Sequence, residues 1–507
     1  MELKKKKKKN GFPSAYSVLF IVMILAAILT YIIPAGQYST LSYNADNDVF
    51  EITKPSGTVL EMPATQSTLD KMHINADLSK FKDGTINKPM AVQGTYVRMH
   101  QAGQGIKAMI MAPIDGVYQC MDIVLFIFMI GGTVGILNYM GAFNAGITEL
   151  ARVSKGREEI IIAVVTFLIA LGGTTFGMAE ETIAFYPILI PIFLKSGYDA
   201  MVGIAAIWCG SSIGCMFSTV NPFSVVIASN AAGINFNAGM SFRIVGLIIG
   251  VVLTVAFIIR YAKRVKADPS YSIIYADKEH IENKFGITGE VEEKEEKMSL
   301  KYKIVLILFF LTFVIMIIGV SKLGWWFGEM AALFLCSAII LGIIGGLQEK
   351  EIAREFINGA SDLVGVALVC GLARAVNILL ENGKVSDTLL HTMSGWVEGM
   401  NPVLFIVVMM LVFIVLGFFI NSSSGLAVLS IPIMAPLADA VGLPRELVIS
   451  AYIYGLGLIG LITPTGLILA SLEMVDVTFN KWLRFCWPLM VIWTILGMVM
   501  LIAQIYL

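Results

Sequence analysis

The chain has 507 residues, of which 57% are hydrophobic and only 14% charged. A soluble globule carries about 25% charged residues, so the composition excludes one and describes a protein that crosses a membrane many times. A net charge of −1 gives no ground for nucleic-acid binding. The six cysteines stand in apolar stretches without CxxC or Cys/His spacing, so they form neither a disulfide frame nor a metal site.

Residues 1–14 hold the run Lys4–Lys9, a topology signal that keeps a basic N-terminus in the cytoplasm. No small-residue cleavage site follows it. The first span is predicted over 15–34, because runs near 20 apolar residues match a bilayer core of about 30 Å. Residues 35–118 are polar and mixed, and are predicted to be an extracytoplasmic loop. A first repeat is placed at 119–266. It opens with a span over 119–140, after which Arg152, Lys155 and Arg157 stand on the inner side. Within it, 160–194 is predicted to be a re-entrant hairpin entering from the cytoplasm. Its arms, about 160–171 and 182–194, look too short to cross, and they flank the glycine-rich "GGTTFGMAEE". A span at 201–229 is interrupted by "GSSIGCMFSTVNP". Non-helical backbone survives at that depth only when buried in protein or lining a cavity. The span at 242–262 ends in Arg260, Lys263, Arg264 and Lys266.

Residues 267–300 are charged ("GEVEEKEEK") and read as a cytoplasmic linker, and 301–347 as two scaffold helices. A second repeat fills 348–507. It has an amphipathic surface helix, a span at 362–381, a hairpin at 402–439 entering from outside with the tip "INSSSG", a span at 447–472 interrupted by "GLIGLITPTG", and a last span to 506. The count gives an all-α polytopic protein of nine spans and two opposed hairpins, with two broken helices and the C-terminus outside. The halves also match in residues. Pro187 and Pro191 align with Pro432 and Pro436, Gly197 with Gly442, Pro222 with Pro464, and Asn138 with Asn377. Self-similar halves of opposite orientation with paired broken helices are the mark of a secondary transporter whose site lies at the midplane.

The motifs "GMAEETIAFYP", "NSSSGLAVLSIPIMAPLAD", "GLITPTG" and "IPAGQY" resemble those of the YfcC-like family, within the C4-dicarboxylate anaerobic carrier-like group of the ion transporter superfamily. The resemblance covers most of the chain apart from the outer loop and the linker. It implies scaffold helices and a moving transport unit with two hairpins, an elevator-type motion and a homodimer. Members are described as basic amino acid exchangers, arginine/ornithine antiporters among them, and others by analogy as dicarboxylate carriers.

The outer tip, Asn421, Ser422, Ser423 and Ser424, offers small neutral hydrogen-bonding groups at the start of a helix, where free N–H groups favour an anion. It suits a solute carboxylate or sodium, while simple capping of the second arm is the plain alternative. The inner tip carries Thr174, Thr175, Glu180 and Glu181. Acids in a first helical turn gain about 0.3–1 kcal/mol, less than the about 2.5–3.5 kcal/mol cost of a charge at the bilayer centre. At least one acid is therefore expected to face a cavity, partnered by a cationic solute end, sodium or a proton. In the broken spans Ser218, Thr219 and Asn221 in one half, and Thr463 and Thr465 in the other, are candidate solute or cation ligands. Ser/Thr relief of a kink is the alternative there. Arg374, mid-span, would take a solute carboxylate, or pair with an acid or with hairpin carbonyls.

No histidine falls in a predicted span, and neither HExxH nor GxxxxGK[ST] occurs, so an intramembrane enzyme or an ATP-driven pump is disfavoured. A passive channel is disfavoured by the closed site that paired broken helices imply. One neutral and one acidic tip suit a zwitterionic or basic amino acid, with C4-dicarboxylates or other organic anions as the alternative. The expected cofactors are none beyond a coupling sodium ion or proton. The expected partners are a small solute and the lipid of a cell (inner) membrane.

Overall fold

The computed structural model describes residues 14–507 except 75, 85, 87, 143, 144, 147, 148, 150–156, 288–298, 324 and 398. Lys4–Lys9, Arg152, Lys155 and the acidic run of the linker lie outside the described residues. The chain is mostly helical, and ten helices among the described residues are long and apolar enough to cross a membrane.

The first of these is α1 (Ala15–Ile32), N-capped by Ser14. The predicted loop after it is in fact a small folded domain, which corrects the all-α expectation. Strands β2 (Thr40–Asn44), β3 (Val49–Thr53), β4 (Val59–Pro63) and β5 (Met90–Ala91) form an antiparallel sheet in the order β4-β3-β2-β5. β1 (Gly36–Gln37) pairs with β6 (Val97–Arg98), and short helices α2 (Gln66–Lys71) and α3 (Leu78–Lys82) pack alongside. The physical cause is visible in "TLSYN" and "VFEIT". Alternate residues point to one face, and they bury Leu41, Phe50 and Ile52 with Leu69 and Phe81. The loop predicted to run to 118 also ends earlier, because helix resumes at 106.

That helix, α4 (Ile106–Gln119), runs into α5 (Met121–Tyr139) through a kink at Cys120. In the second half α14 (Glu349–Asp362) runs into α15 (Val364–Asn382) through a kink at Leu363. The two kinked rods have identical segment lengths, 14 and 19 residues. They lie antiparallel: Gly116 faces Gly371, while Gly131 and Gly135 face Gly359. A Cβ on Gly116 would meet the carbonyl oxygen of Gly371 at 2.2 Å, and one on Gly359 would meet that of Gly131 at the same 2.2 Å. The two contacts are equivalent, Gly116 lying on Gly371 O and Ala375 N and Gly359 on Gly131 O and Gly135 N, which sets Gly131 over Gly371, within one residue of the register that aligns Asn138 with Asn377.

Each rod precedes a helical hairpin. The first is α6 (Glu158–Phe176) and α7 (Tyr186–Lys195), joined through Gly177 in the left-handed region (φ 74°) and a 3-10 turn, Glu180–Phe185. The second is α17 (Pro402–Phe419) and α18 (Ser423–Ala440). The expectation of arms too short to cross fails for α6, which has 19 residues, or about 29 Å of helix, while α7 has 10. The reason lies in "GGTTF", which stays helical. Gly173 serves close packing instead of a turn, since a Cβ there would come within 2.6 Å of Ser211 O on the next helix.

After the hairpins come the interrupted helices. α8 (Ala200–Met216) breaks at 217–221 before a π turn (Pro222–Val226) and α9 (Ile227–Ala232). Its counterpart α19 (Glu446–Gly460) breaks before α20 (Ile468–Val475). Each half closes with a helix of 28 residues, α10 (Met240–Ala267) and α21 (Phe479–Tyr506). Between the halves lie α11 (Lys278–Lys284), α12 (Leu300–Leu323) and α13 (Phe327–Ile344), and α16 (Ser386–Val397) follows α15. The start of the linker is clamped to the turn before α21, where Asp476 meets His280 at 3.0 Å and Lys284 at 2.9 Å.

Candidate functional site

The end of α8 and the break that follows it lie against the last turns of α19. Phe217 and Tyr454 stack obliquely with centroids 4.6 Å apart, and Gly457 lies against the backbone of Met216. Each hairpin tip is tied to the break of its own half. Thr174 donates to Phe217 O at 3.0 Å and accepts the Thr219 N–H at 3.0 Å, and the Val220 N–H reaches Thr174 O at 3.3 Å. Ser211 donates to Met178 O. Asn221 is buried, accepts the Phe223 N–H at 2.9 Å and packs against Gly177, where any side chain would collide with it. Ser218 is buried and donates to Cys215 O. In the other half Asn421 donates to Thr465 O at 2.7 Å, and Thr463 and Thr465 share a 2.9 Å hydroxyl contact. These bonds supply the backbone that leaves the helices with partners, which is what lets it exist at membrane depth.

The remaining candidates divide. Thr175 is exposed on α6 and returns its hydroxyl to Leu171 O at 2.6 Å, away from the tip cluster. Glu181 is buried and accepts the Ala179 N–H at 3.1 Å, closing its own turn. Glu180 stands beside it at the start of the 3-10 turn, half-buried. Ser422 N-caps α18 by accepting the Gly425 N–H at 3.1 Å. The carbonyl of Ser423 accepts from Tyr452 at 2.6 Å.

The outer tip faces a cavity of about 390 Å³ that reaches Ser422, Gly425, Phe419 and Ile420 on one side. Its other walls bring in Arg374 and Glu381 of α15, Lys384, Asp387 of α16 and Lys88 of the strand domain. Arg374 donates from Nε to Gln119 at 2.8 Å and pairs with Glu381 at 3.6 Å. Lys88 reaches into the tip, with Nζ donating to Ser424 Oγ at 2.7 Å and standing 3.4 Å from Ser422 Oγ. Burial and the nearby Arg374 guanidinium hold its ammonium below the usual lysine range. Three cations and two carboxylates thus surround a tip of neutral hydroxyls. One carboxylate, Glu381, already pairs with Arg374, and the other, Asp387, accepts the Tyr38 N–H at 2.8 Å. Sequence reasoning reached Ser422, Ser424 and Arg374 but missed Lys88, Lys384 and Asp387. Lys88 lies in a loop with several other lysines, and no local pattern distinguishes it.

A chain with ten helices long and apolar enough to cross a membrane among its described residues, two further interrupted apolar helices and a polar cavity at a hairpin tip has the make-up of a multi-pass membrane transport protein. Residues 12–506 match the family of C4-dicarboxylate anaerobic carriers, DcuC, and the chain belongs to it. A Haemophilus influenzae protein without a described function is 46% identical over 505 residues, spanning 100% of this chain and 99% of its own. The Escherichia coli K12 protein named "Putative basic amino acid antiporter YfcC" is 28% identical over 497 residues, spanning 94% of this chain and 93% of its own. Among solved structures, the chain is similar to the Neisseria gonorrhoeae efflux pump MtrF, with 14% identity, a TM-score of 0.39 and coverage of 98% and 96% of the two chains. It is likewise similar to the Alcanivorax borkumensis transporter YdaH, with 14% identity, a TM-score of 0.39 and coverage of 97% and 98%.

Proposed function

We propose that this protein is a secondary active transporter of the inner (plasma) membrane that exchanges or imports amino acids, with basic amino acids of the arginine/ornithine type favoured. The asymmetry of the two tips carries this reading. The neutral outer tip opens on a cavity with Lys88, Arg374 and Lys384, which suits an α-carboxylate. The inner tip presents Glu180 and Glu181, which suit an ammonium or guanidinium end, a sodium ion or a proton. The name of the Escherichia coli relative supports the same solute class. The cationic side chains around the outer cavity favour a second reading, a C4-dicarboxylate or other organic anion coupled to sodium or protons, in line with the family's description.

The working architecture we propose has nine spans, two opposed re-entrant hairpins, the N-terminus in the cytoplasm and the C-terminus outside. The hairpins and broken helices form a moving unit against a scaffold that includes α12 and α13, in a homodimer. The antiparallel kinked rods and the paired breaks support it. Uptake of radiolabelled arginine, ornithine and succinate into proteoliposomes, with and without counter-substrate, is the test. Arginine or ornithine uptake stimulated by the internal counter-substrate is expected. Uptake of succinate alone would transfer the protein to the organic-anion reading, and absence of uptake of all three would overturn the proposal.

A further inference from the structure

The strand domain is fastened at one edge and touches the transport machinery at another. Its fastening is to α16 and the turn before it. The Gly36 N–H bonds Lys384 O at 3.1 Å, the Tyr38 N–H bonds Asp387 at 2.8 Å, and Tyr96 meets Thr388 at 2.8 Å while stacking on His391 with centroids 4.1 Å apart. Its touching edge is β5, which packs on α18, and Lys88, whose ammonium sits on the tip hydroxyls. Among the described residues Lys88 makes no ion pair. Its hydrogen-bond acceptors are two neutral serine oxygens, and Arg374 lines the same cavity. Lys88 rests on neutral oxygens while Arg374 beside it pairs with Glu381, and the cavity of about 390 Å³ sets three cations, Lys88, Arg374 and Lys384, against two carboxylates, Glu381 and Asp387, so it is short of one anion. A carboxylate entering there gains charge-assisted bonds that the serines alone do not give.

We propose that Lys88 is a solute ligand supplied by the extracytoplasmic strand domain: with no solute its ammonium rests on Ser422 and Ser424, and an arriving carboxylate takes it, together with Arg374, at the mouth of the outer hairpin. The strand domain is then part of the binding site, and its charge selects carboxylate-bearing solutes on the outer side. This deepens the transport reading above and rests on it.

The experiment compares wild type, Lys88→Gln and Lys88→Arg in proteoliposomes. Lys88→Gln is expected to raise the KM for an external carboxylate solute roughly tenfold or more, as loss of a charged hydrogen bond should, with kcat kept within a few-fold. Lys88→Arg is expected to restore most of the affinity. A Lys88→Gln protein with unchanged KM overturns the inference while leaving the transport reading intact. A second measurement needs no variant. In the full-length wild-type protein, modification of Lys88 by an amine-reactive reagent is followed by mass spectrometry with and without saturating arginine or succinate. Protection of Lys88 by either solute is expected, and absence of protection by both overturns the proposal even if the variants fail to fold. Failure of wild type to transport any solute, with Lys88 still protected, would instead sink the transport reading alone.

Discussion

At the residue scale the two adjacent acids show how one side chain can serve two ends. Glu181 satisfies the Ala179 N–H and so stabilises the turn that leads into α7. Glutamine keeps an acceptor oxygen of the same reach, so Glu181→Gln should preserve the turn and remove only the charge. If either acid neutralises a cationic solute, the Gln variants should lose arginine or ornithine transport far more than transport of a neutral analogue. Removing one partner of a buried charge pair costs about 2–5 kcal/mol, enough to abolish measurable uptake. If the acid carries a coupling ion instead, the variants should keep exchange while the sodium or pH dependence of accumulation changes. A Glu180→Gln/Glu181→Gln double variant with normal solute, sodium and pH dependence would leave both acids as turn-forming residues. The serines make a related point. Ser422 caps its helix while standing within reach of Lys88, and Ser424, two residues on, takes the shorter bond from the same ammonium.

At the element scale, glycine decides how closely the kinked rods approach. Gly116 and Gly359 are each the eleventh residue of their segments, α4 from 106 and α14 from 349, and each lies on backbone of the opposite rod. Exchanging Gly for Ala in an open helix stabilises by about 1 kcal/mol. At 2.2 Å from a carbonyl oxygen the added methyl must push two backbones apart, and overpacking of this kind costs about 1–3 kcal/mol. Gly359→Ala should therefore lower the melting temperature of the detergent-solubilised protein. Gly395→Ala in α16, with open space around it, should leave it unchanged or raise it. Equal melting behaviour of the two variants would remove the close crossing as a stabilising feature. The same close packing explains why α6 outlasts its expected length. Glycines that punctuate a sequence for a reader also let a helix lie on its neighbour, and only the neighbour distinguishes the two uses.

At the scale of the whole molecule, the topology proposed above, with the N-terminus inside, requires the strand domain to face outward and the segment around α11 to face the cytoplasm. In a Cys336→Ser background, which removes the exposed cysteine while the other five are buried or half-buried, a single Cys at Thr58 should react with an impermeant maleimide in intact cells. A single Cys at Ser270 should react only after permeabilisation. The reverse pattern would invert the topology, and labelling of both from one side would contradict the opposed hairpins.

What the sequence determined by itself is the membrane class, the order of the helices and the two broken elements. Those follow from local quantities: the length of apolar runs, the spacing of prolines and glycines, and basic residues between spans. The tip residues Asn421, Ser422 and Ser424 were legible for the same reason, since polar groups in an apolar stretch announce themselves. Tertiary structure alone decided that β2, β3, β4 and β5 join in one sheet over Leu41 and Phe50, and that α4 belongs to the rod with α5. It also decided that Lys88 stands on the serines of a hairpin tip 334 and 336 residues away. The alternation in "TLSYN" and "VFEIT" is local, but which strands pair and over which residues is not. A contact between a surface lysine and a distant hydroxyl leaves no trace in the spacing of either, because it depends on where two rigid bodies dock and not on how either one folds.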